Sequence, residues 1–186
     1  MKKHSGMRPH DMVILLKIAA KGKEPWLMKD LSIELCISAS EISESLNRSS
    51  IAGLISQDKK RLMKLAILDF LEHGLRYVYP QRPGAIVRGL PTAHAAPPLS
   101  HEIVSAEPYV WPYGKGTVRG QSIEPLHPKV PEACLKDPVF YEYLALCDAL
   151  RVGRARERNI AIQELKKRLD GNIPLQQDTN PAKKNL

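Results

Sequence analysis

The chain has 186 residues, with 28 basic against 20 acidic side chains, so its formal net charge is +8. That length fits one large domain or two small ones, and a 43% hydrophobic fraction supports a packed core, which excludes global disorder. No apolar run reaches the ~18 residues of a membrane helix. The longest candidate, Met12 to Ala20, is short and broken by Lys17, so no membrane partner is expected.

The start, Met1-Lys2-Lys3-His4, carries charge without an apolar stretch close behind it, so no signal peptide is expected. Cys36, Cys134 and Cys147 form no CxxC pair and are odd in number. Free thiols in a reducing cytoplasm fit better than a disulfide framework. The charge is uneven: residues 1–91 carry +6, residues 92–135 carry −1 and residues 136–186 carry +3. A bound polyanion would therefore be sought first in the N-terminal half.

In chain order, Pro9 suits a first helical turn and Gly22 a C-cap. Between them Met12, Leu15, Leu16 and Ala19 recur at helical spacing. A second short helix is predicted from about Trp26 to Leu35, with Leu27, Leu31 and Leu35 on one side. Ser38 is an N-cap, and Glu41 three residues later completes a capping box. Ile42 and Leu46 then face inward. Ala39, Ser40, Ser43, Glu44, Asn47 and Arg48 are expected to project outward.

This pattern resembles the helix-turn-helix motif, especially its winged form in bacterial regulators such as the MarR-like group. The resemblance runs over Met28 to Asn47 and rests on Ser32, Cys36, Ile37, Ile42 and Ser45 next to Leu46. Two positions depart from it: Ser32 stands where alanine is commoner, and Cys36 where glycine is preferred. If Cys36 takes a positive φ, the cost is roughly 1 kcal/mol. The resemblance implies double-stranded DNA as partner, with the helix from Ser38 to Asn47 entering a major groove. Short polar side chains can approach base edges closely; Arg48 suits guanine or a phosphate, Asn47 adenine, and Glu44 a cytosine amino group. A plainly solvated helix face is the competing reading.

A further helix is predicted from about Lys59 to His73, closed by Gly74. Lys59, Lys60, Arg61 and Lys64 make its start basic, although a helix dipole prefers acids there. They suit a phosphate backbone or an ordinary solvated face. Leu75 to Tyr79 alternates and is β-prone, Pro80 to Gly84 is a turn, and Ala85 to Gly89 returns as a strand. Such a hairpin resembles a wing, with Arg82 at its tip and Arg88 on its second strand placed for phosphates or a minor groove.

Eleven of the 15 prolines fall between Pro80 and Pro138, so long helices are excluded there and an extended strap is expected. His94, His101, His127 and Cys134 lack the close spacing of metal ligands, so no metal or other cofactor is expected. Gly114-Lys115-Gly116-Thr117 lacks phosphate-loop spacing and reads as a turn. Tyr109, Trp111 and Tyr113 share one side of a strand, suited to bases, a ligand, a core or a subunit interface. Asp137-Pro138 opens a helix over Phe140 to Leu150, and a second runs from about Arg154 to Leu169, ended by Gly171. Arg154, Arg156 and Arg158 suit a phosphate or, in the preferred reading, pairing with acids such as Asp148 and Glu157, and the two helices are expected to pack on the N-terminal part or a second subunit.

The predicted fold is mainly α with a small β component. It comprises a winged helix-turn-helix domain (1–91), a Pro-rich extended strap (92–137), a C-terminal helical pair (138–171) and a flexible tail (172–186). The expected function is a sequence-specific DNA-binding transcriptional regulator, a homodimeric repressor in the cytoplasm and nucleoid. The alternative is a protein-interaction module, an antitoxin or accessory subunit paired with the product of a neighbouring gene. No paired-carboxylate, Ser-His-Asp or Cys-His spacing points to an enzyme.

Overall fold

In the computed structural model, residues 6–105 and 107–171 are described. The tail expected over 172–186 lies outside them.

Helix α1 (Pro9–Lys21) is the central element, because every side chain from Asp11 to Ile18 is buried. A helix covered on all sides must have neighbours on all sides, and α1 packs on α2, α3 and α7. It ends at Gly22, whose φ is 62°. Lys17, buried in this helix, is held by Asp137 Oδ2 at 2.6 Å and Glu34 Oε2 at 2.8 Å. Burial alone would lower the Lys17 pKa, but the hydrogen bonds it donates to Asp137 and Glu34 outweigh it and the net shift is upward. The charge is thereby kept inside, as a buried lysine requires.

Helix α2 (Met28–Leu35) starts two residues later than predicted. Leu27 is its cap and is exposed, while Leu31 and Leu35 carry the buried face. Cys36 follows in the left-handed region, φ 53° and ψ 40°. The two departures in this turn are thus explained. The Ser32 hydroxyl donates to the Ile37 carbonyl at 2.6 Å, a bond alanine lacks. Cys36 occupies the conformation that glycine adopts without strain. Cys36→Gly is therefore expected to stabilise the chain by about 0.5–1 kcal/mol, relief of strain minus the extra unfolded-state entropy of glycine. Urea unfolding checks this; a lower midpoint contradicts it.

Helix α3 (Ala39–Ile51) begins at Ser38, whose Oγ accepts from the Glu41 amide at 3.2 Å. The predicted capping box is only half made, because the Glu41 carboxylate is held by Arg48 and His10 instead.

The next segment corrects the prediction. No helix begins at Lys59. Residues 54–63 form a short hairpin, with an antiparallel bridge between Ile55 and Leu62. The Ser56 amide donates to the Arg61 carbonyl at 2.8 Å, and the Met63 amide to the Leu54 carbonyl at 3.0 Å. Lys59 sits at the tip with φ 57°. The helix starts only at Lys64. It runs as α4 (Lys64–Asp69), a wide π-helical turn (Phe70–Gly74) and α5 (Leu75–Val78). Leu75 to Tyr79 is therefore not a strand, and the hairpin predicted from it does not exist. Ile67, Leu71, Leu75 and Tyr79 are all buried, and their fourfold spacing follows one helix face. The alternation of Leu75, Tyr77 and Tyr79 is overridden, since Tyr77 is exposed. Gly74 does not close this helix; a Cβ there would come 2.9 Å from the Phe70 ring.

Strands β1 (Ile86–Thr92), β2 (Tyr109–Pro112) and β3 (Val118–Ser122) close into a small barrel. The predicted strand Ala85 to Gly89 exists, but its partner is β3, 30 residues on, with Ile86 opposite Gln121 and Arg88 opposite Arg119. Beyond Gly89 the same strand pairs with β2. Gly89 belongs to both ladders, and a Cβ there would lie 2.0 Å from the Trp111 carbonyl oxygen. The proline-rich stretch is thus less a strap than two of the barrel strands, two 3₁₀ turns and helix α6 (Val130–Cys134).

Helices α7 (Pro138–Val152) and α8 (Ala155–Asp170) pack on each other, and α7 also contacts α1 and β1. Asp137 caps α7 by accepting from the Phe140 amide at 3.0 Å. The chain is thus mainly helical with a small three-stranded sheet, and one hydrophobic cluster runs from α1 through α8. Among the described residues no helix is long and apolar enough to cross a membrane.

Candidate nucleic-acid interface

Each helical residue turns about 100° from the one before. On α3 this gathers Ser40, Ser43, Glu44, Asn47 and Ile51 on one side. Of these Ser40, Glu44 and Ile51 are exposed and Ser43 and Asn47 half-buried; Ser38 and Ala39, at the helix start, are exposed too. The opposite side, Ile42, Ser45, Leu46 and Ser49, is buried against α1 and α2.

Arg48 does not belong to the outward face. It lies about 100° from Asn47 and one face with Glu41, seven residues back. It is 6% exposed. Its guanidinium grips the fully buried Asp11 of α1 with two bonds, Nη2 to Oδ1 at 2.7 Å and Nε to Oδ2 at 2.9 Å. Nη2 also reaches Glu41 at 2.8 Å, and His10 Nε2 meets the same Glu41 oxygen at 2.7 Å. Arg48 is a structural pin that joins α3 to α1.

The hydrogen bond from Arg48, with a further one from His10, holds the Glu41 carboxyl below its usual 4.5. A group depressed on folding contributes stability above its unfolded pKa and loses it as the pH falls through the folded value. The melting temperature is therefore expected to fall as the pH drops below about 4.5. Glu41→Gln is expected to flatten that acid limb, and equal slopes in the two proteins would contradict it.

The hairpin stands beside the exposed face of α3. Lys59 Nζ donates to Asn47 Oδ1, so the tip is tied to the helix. Lys60 and Arg61 are exposed on the same hairpin. Between α3, the hairpin tip and the loop after α1 lies a cleft of about 590 Å³, bordered by Lys23, Trp26, Met28, Ser43, Lys59 and Lys60. Three of the six basic residues offered to phosphates beyond the helix, Lys59, Lys60 and Arg61, thus sit in the hairpin that follows it. Sequence reasoning missed this hairpin. The signal was available in the lysines themselves, which are badly placed for a helix start.

Arg82 and Arg88 are corrected in the other direction. Both are exposed, but Arg88 belongs to the barrel, which packs on α7, whereas α3 packs on α1 and α2. Arg82 lies in the loop leading into β1. The wing hairpin on which both were expected is therefore absent. The arginines after α7 also differ from expectation. Asp148 pairs with Arg151 at 2.7 Å, and Arg158 donates to the Gly153 carbonyl at 2.7 Å. Arg154 and Arg156 pair with no carboxylate among the described residues. Of the three aromatic residues predicted to share a strand side, Trp111 is buried, with its indole N–H on Asp148.

No protein-family model matches this chain, and no curated protein and no solved structure matches it either.

Proposed function

We propose that the chain is a sequence-specific double-stranded DNA-binding regulator that acts as a homodimeric repressor on the nucleoid. One observation carries the reading. Exposed Ser40 and Glu44 and half-buried Ser43 and Asn47 form a single polar face on α3, delivered by a left-handed turn at Cys36 and flanked by the basic hairpin tip tied to Asn47. A helix that enters a major groove offers such short polar groups. The hairpin follows α3 directly, as a wing follows the recognition helix in winged-helix regulators. Ser43 and Asn47 read bases in this scheme, Glu44 accepts from a cytosine amino group, and Lys60 and Arg61 hold phosphates. One short helix covers few base pairs, so a two-fold dimer on paired half-sites follows. The test is selection of bound duplexes from a random pool, followed by salt-titrated binding to the selected sequence and to the gene's own upstream DNA. A folded protein that selects no sequence defeats the reading.

A second reading has its own support. Leu27, Met28, Ile33 and Ile51 are large apolar side chains exposed on or beside α2 and α3, and such residues in company suit a protein partner. Co-purification with the product of a neighbouring gene, unchanged in Asn47→Ala, favours this protein-interaction module.

A further inference from the structure

Arg88 and Arg119 face each other directly across the antiparallel β1–β3 pair. Opposed residues bring their Cβ atoms to about 5 Å, and like charges placed so are destabilising. Both side chains are exposed, and neither forms an ion pair with a described residue. The arginines withdrawn from solvent are, by contrast, neutralised within the chain. Arg48 is bonded to Asp11 and Glu41, Arg151 to Asp148, and Arg168 to Glu142 and Glu164. A local arrangement that opposes folding points to a partner outside the chain.

The surface around the pair extends in one direction. Two residues beyond Arg119 on β3, and so on the same side of the strand, lies Gln121. Gln121 and Tyr109 border a cavity of about 320 Å³ whose other wall includes Arg154 and Arg156. Two carboxylates share this border, Glu107 and Glu157, and Glu157 accepts from the Arg154 amide at 2.9 Å. The surface thus carries four arginines without carboxylate partners against two acids.

We propose that this barrel face, from Arg88 and Arg119 across Gln121 to Arg154 and Arg156, binds the phosphodiester backbone of DNA. It is a second, sequence-independent contact beside the α3 face. Guanidinium groups suit phosphate oxygens, and backbone contacts add affinity without reading bases. The inference rests on the DNA-binding reading above and adds a second contact to it.

The experiment titrates the full chain against a fluorescent duplex of about three helical turns, selected and scrambled, over a range of salt. Arg88→Gln/Arg119→Gln and Arg154→Gln/Arg156→Gln are each expected to weaken both duplexes alike. Each pair should lower the magnitude of the log–log salt slope by about 2. Arg88→Gln/Arg119→Gln should also melt at a higher temperature than the parent, because a repulsion is removed while the contact is lost. Unchanged affinity and slope in both variants, with the parent binding its selected site, overturn this inference and leave the α3 reading standing. A melting temperature that falls marks the arginine pair as structural and also overturns it. Parent binding that lacks sequence preference, yet collapses in the combined variant, supports the barrel face and defeats the α3 reading. A parent that binds no duplex defeats both.

Discussion

Arg48→Ala is expected to lower the stability of the chain by about 3–5 kcal/mol. Asp11 has no accessible surface, and Arg48 supplies two bonds to its carboxylate. Truncating the arginine leaves a buried charge without its partner, and removing one member of such a pair is far more costly than replacing both. Asp11→Leu/Arg48→Met is therefore expected to recover part of the loss, since two apolar side chains fill the same space while the Arg8 amide loses the Asp11 carboxylate that caps α1. Urea unfolding followed by circular dichroism measures all three proteins. If Arg48→Ala unfolds at the parent midpoint, the pin is not structural. The same comparison separates folding from reading. At a temperature where Asp11→Leu/Arg48→Met is folded, it should bind duplex DNA like the parent, whereas Asn47→Ala should not, because only Asn47 belongs to the outward face of α3.

Arg48 also shows how far the sequence could be read. Helices α1, α3, α7 and α8 were legible because an apolar period agreed with a start signal, a terminator or both: Pro9 with Gly22, Ser38 with Ile42 and Leu46, Asp137 with Phe140, and Gly171 after Leu169. The outward face of α3 was legible for Ser40, Glu44 and Asn47, which share a phase. Arg48 lies only about 40° from Glu44, so phase did not exclude it; the buried carboxylate of Asp11, which draws its guanidinium inward, leaves no local pattern. The hairpin at 54–63 was hidden because one bridge, Ile55 to Leu62, leaves too short an alternation to register. The π-helical turn at Phe70–Gly74 hid the length of the next helix, since Gly74 imitates a terminator. The barrel was hidden for another reason. Its pairings join Ile86 to Gln121 and Thr92 to Tyr109, and no local pattern records contacts of that separation.

The long-range pairings need an anchor, and Asp148 on α7 provides it. Its carboxylate, 2% exposed, accepts from Thr92 Oγ1 at 2.9 Å on β1, from Trp111 Nε1 at 2.5 Å on β2, and from Arg151 Nη1 at 2.7 Å. Arg151 in turn donates to the Tyr79 and Glu124 carbonyls, each at 3.0 Å. One carboxylate therefore fastens two barrel strands, the loop after β3 and the end of α5 to the same helix. Asp148→Ala orphans an indole N–H and a hydroxyl and leaves Arg151 charged with only carbonyls for company, at an expected cost of about 3–5 kcal/mol. Asp148→Asn keeps an acceptor for one donor and should lie between the two. Unfolding is best followed by Trp111 fluorescence, in a Trp26→Phe background so that Trp111 is the sole tryptophan, and by circular dichroism together. Because the hydrophobic cluster is continuous from α1 to α8, the two signals should move as one transition at a lower urea concentration. An early fluorescence change with the helical signal intact would instead mean that the barrel detaches on its own. A midpoint within about 0.5 kcal/mol of the parent would mean that apolar packing, not Asp148, holds the barrel in place.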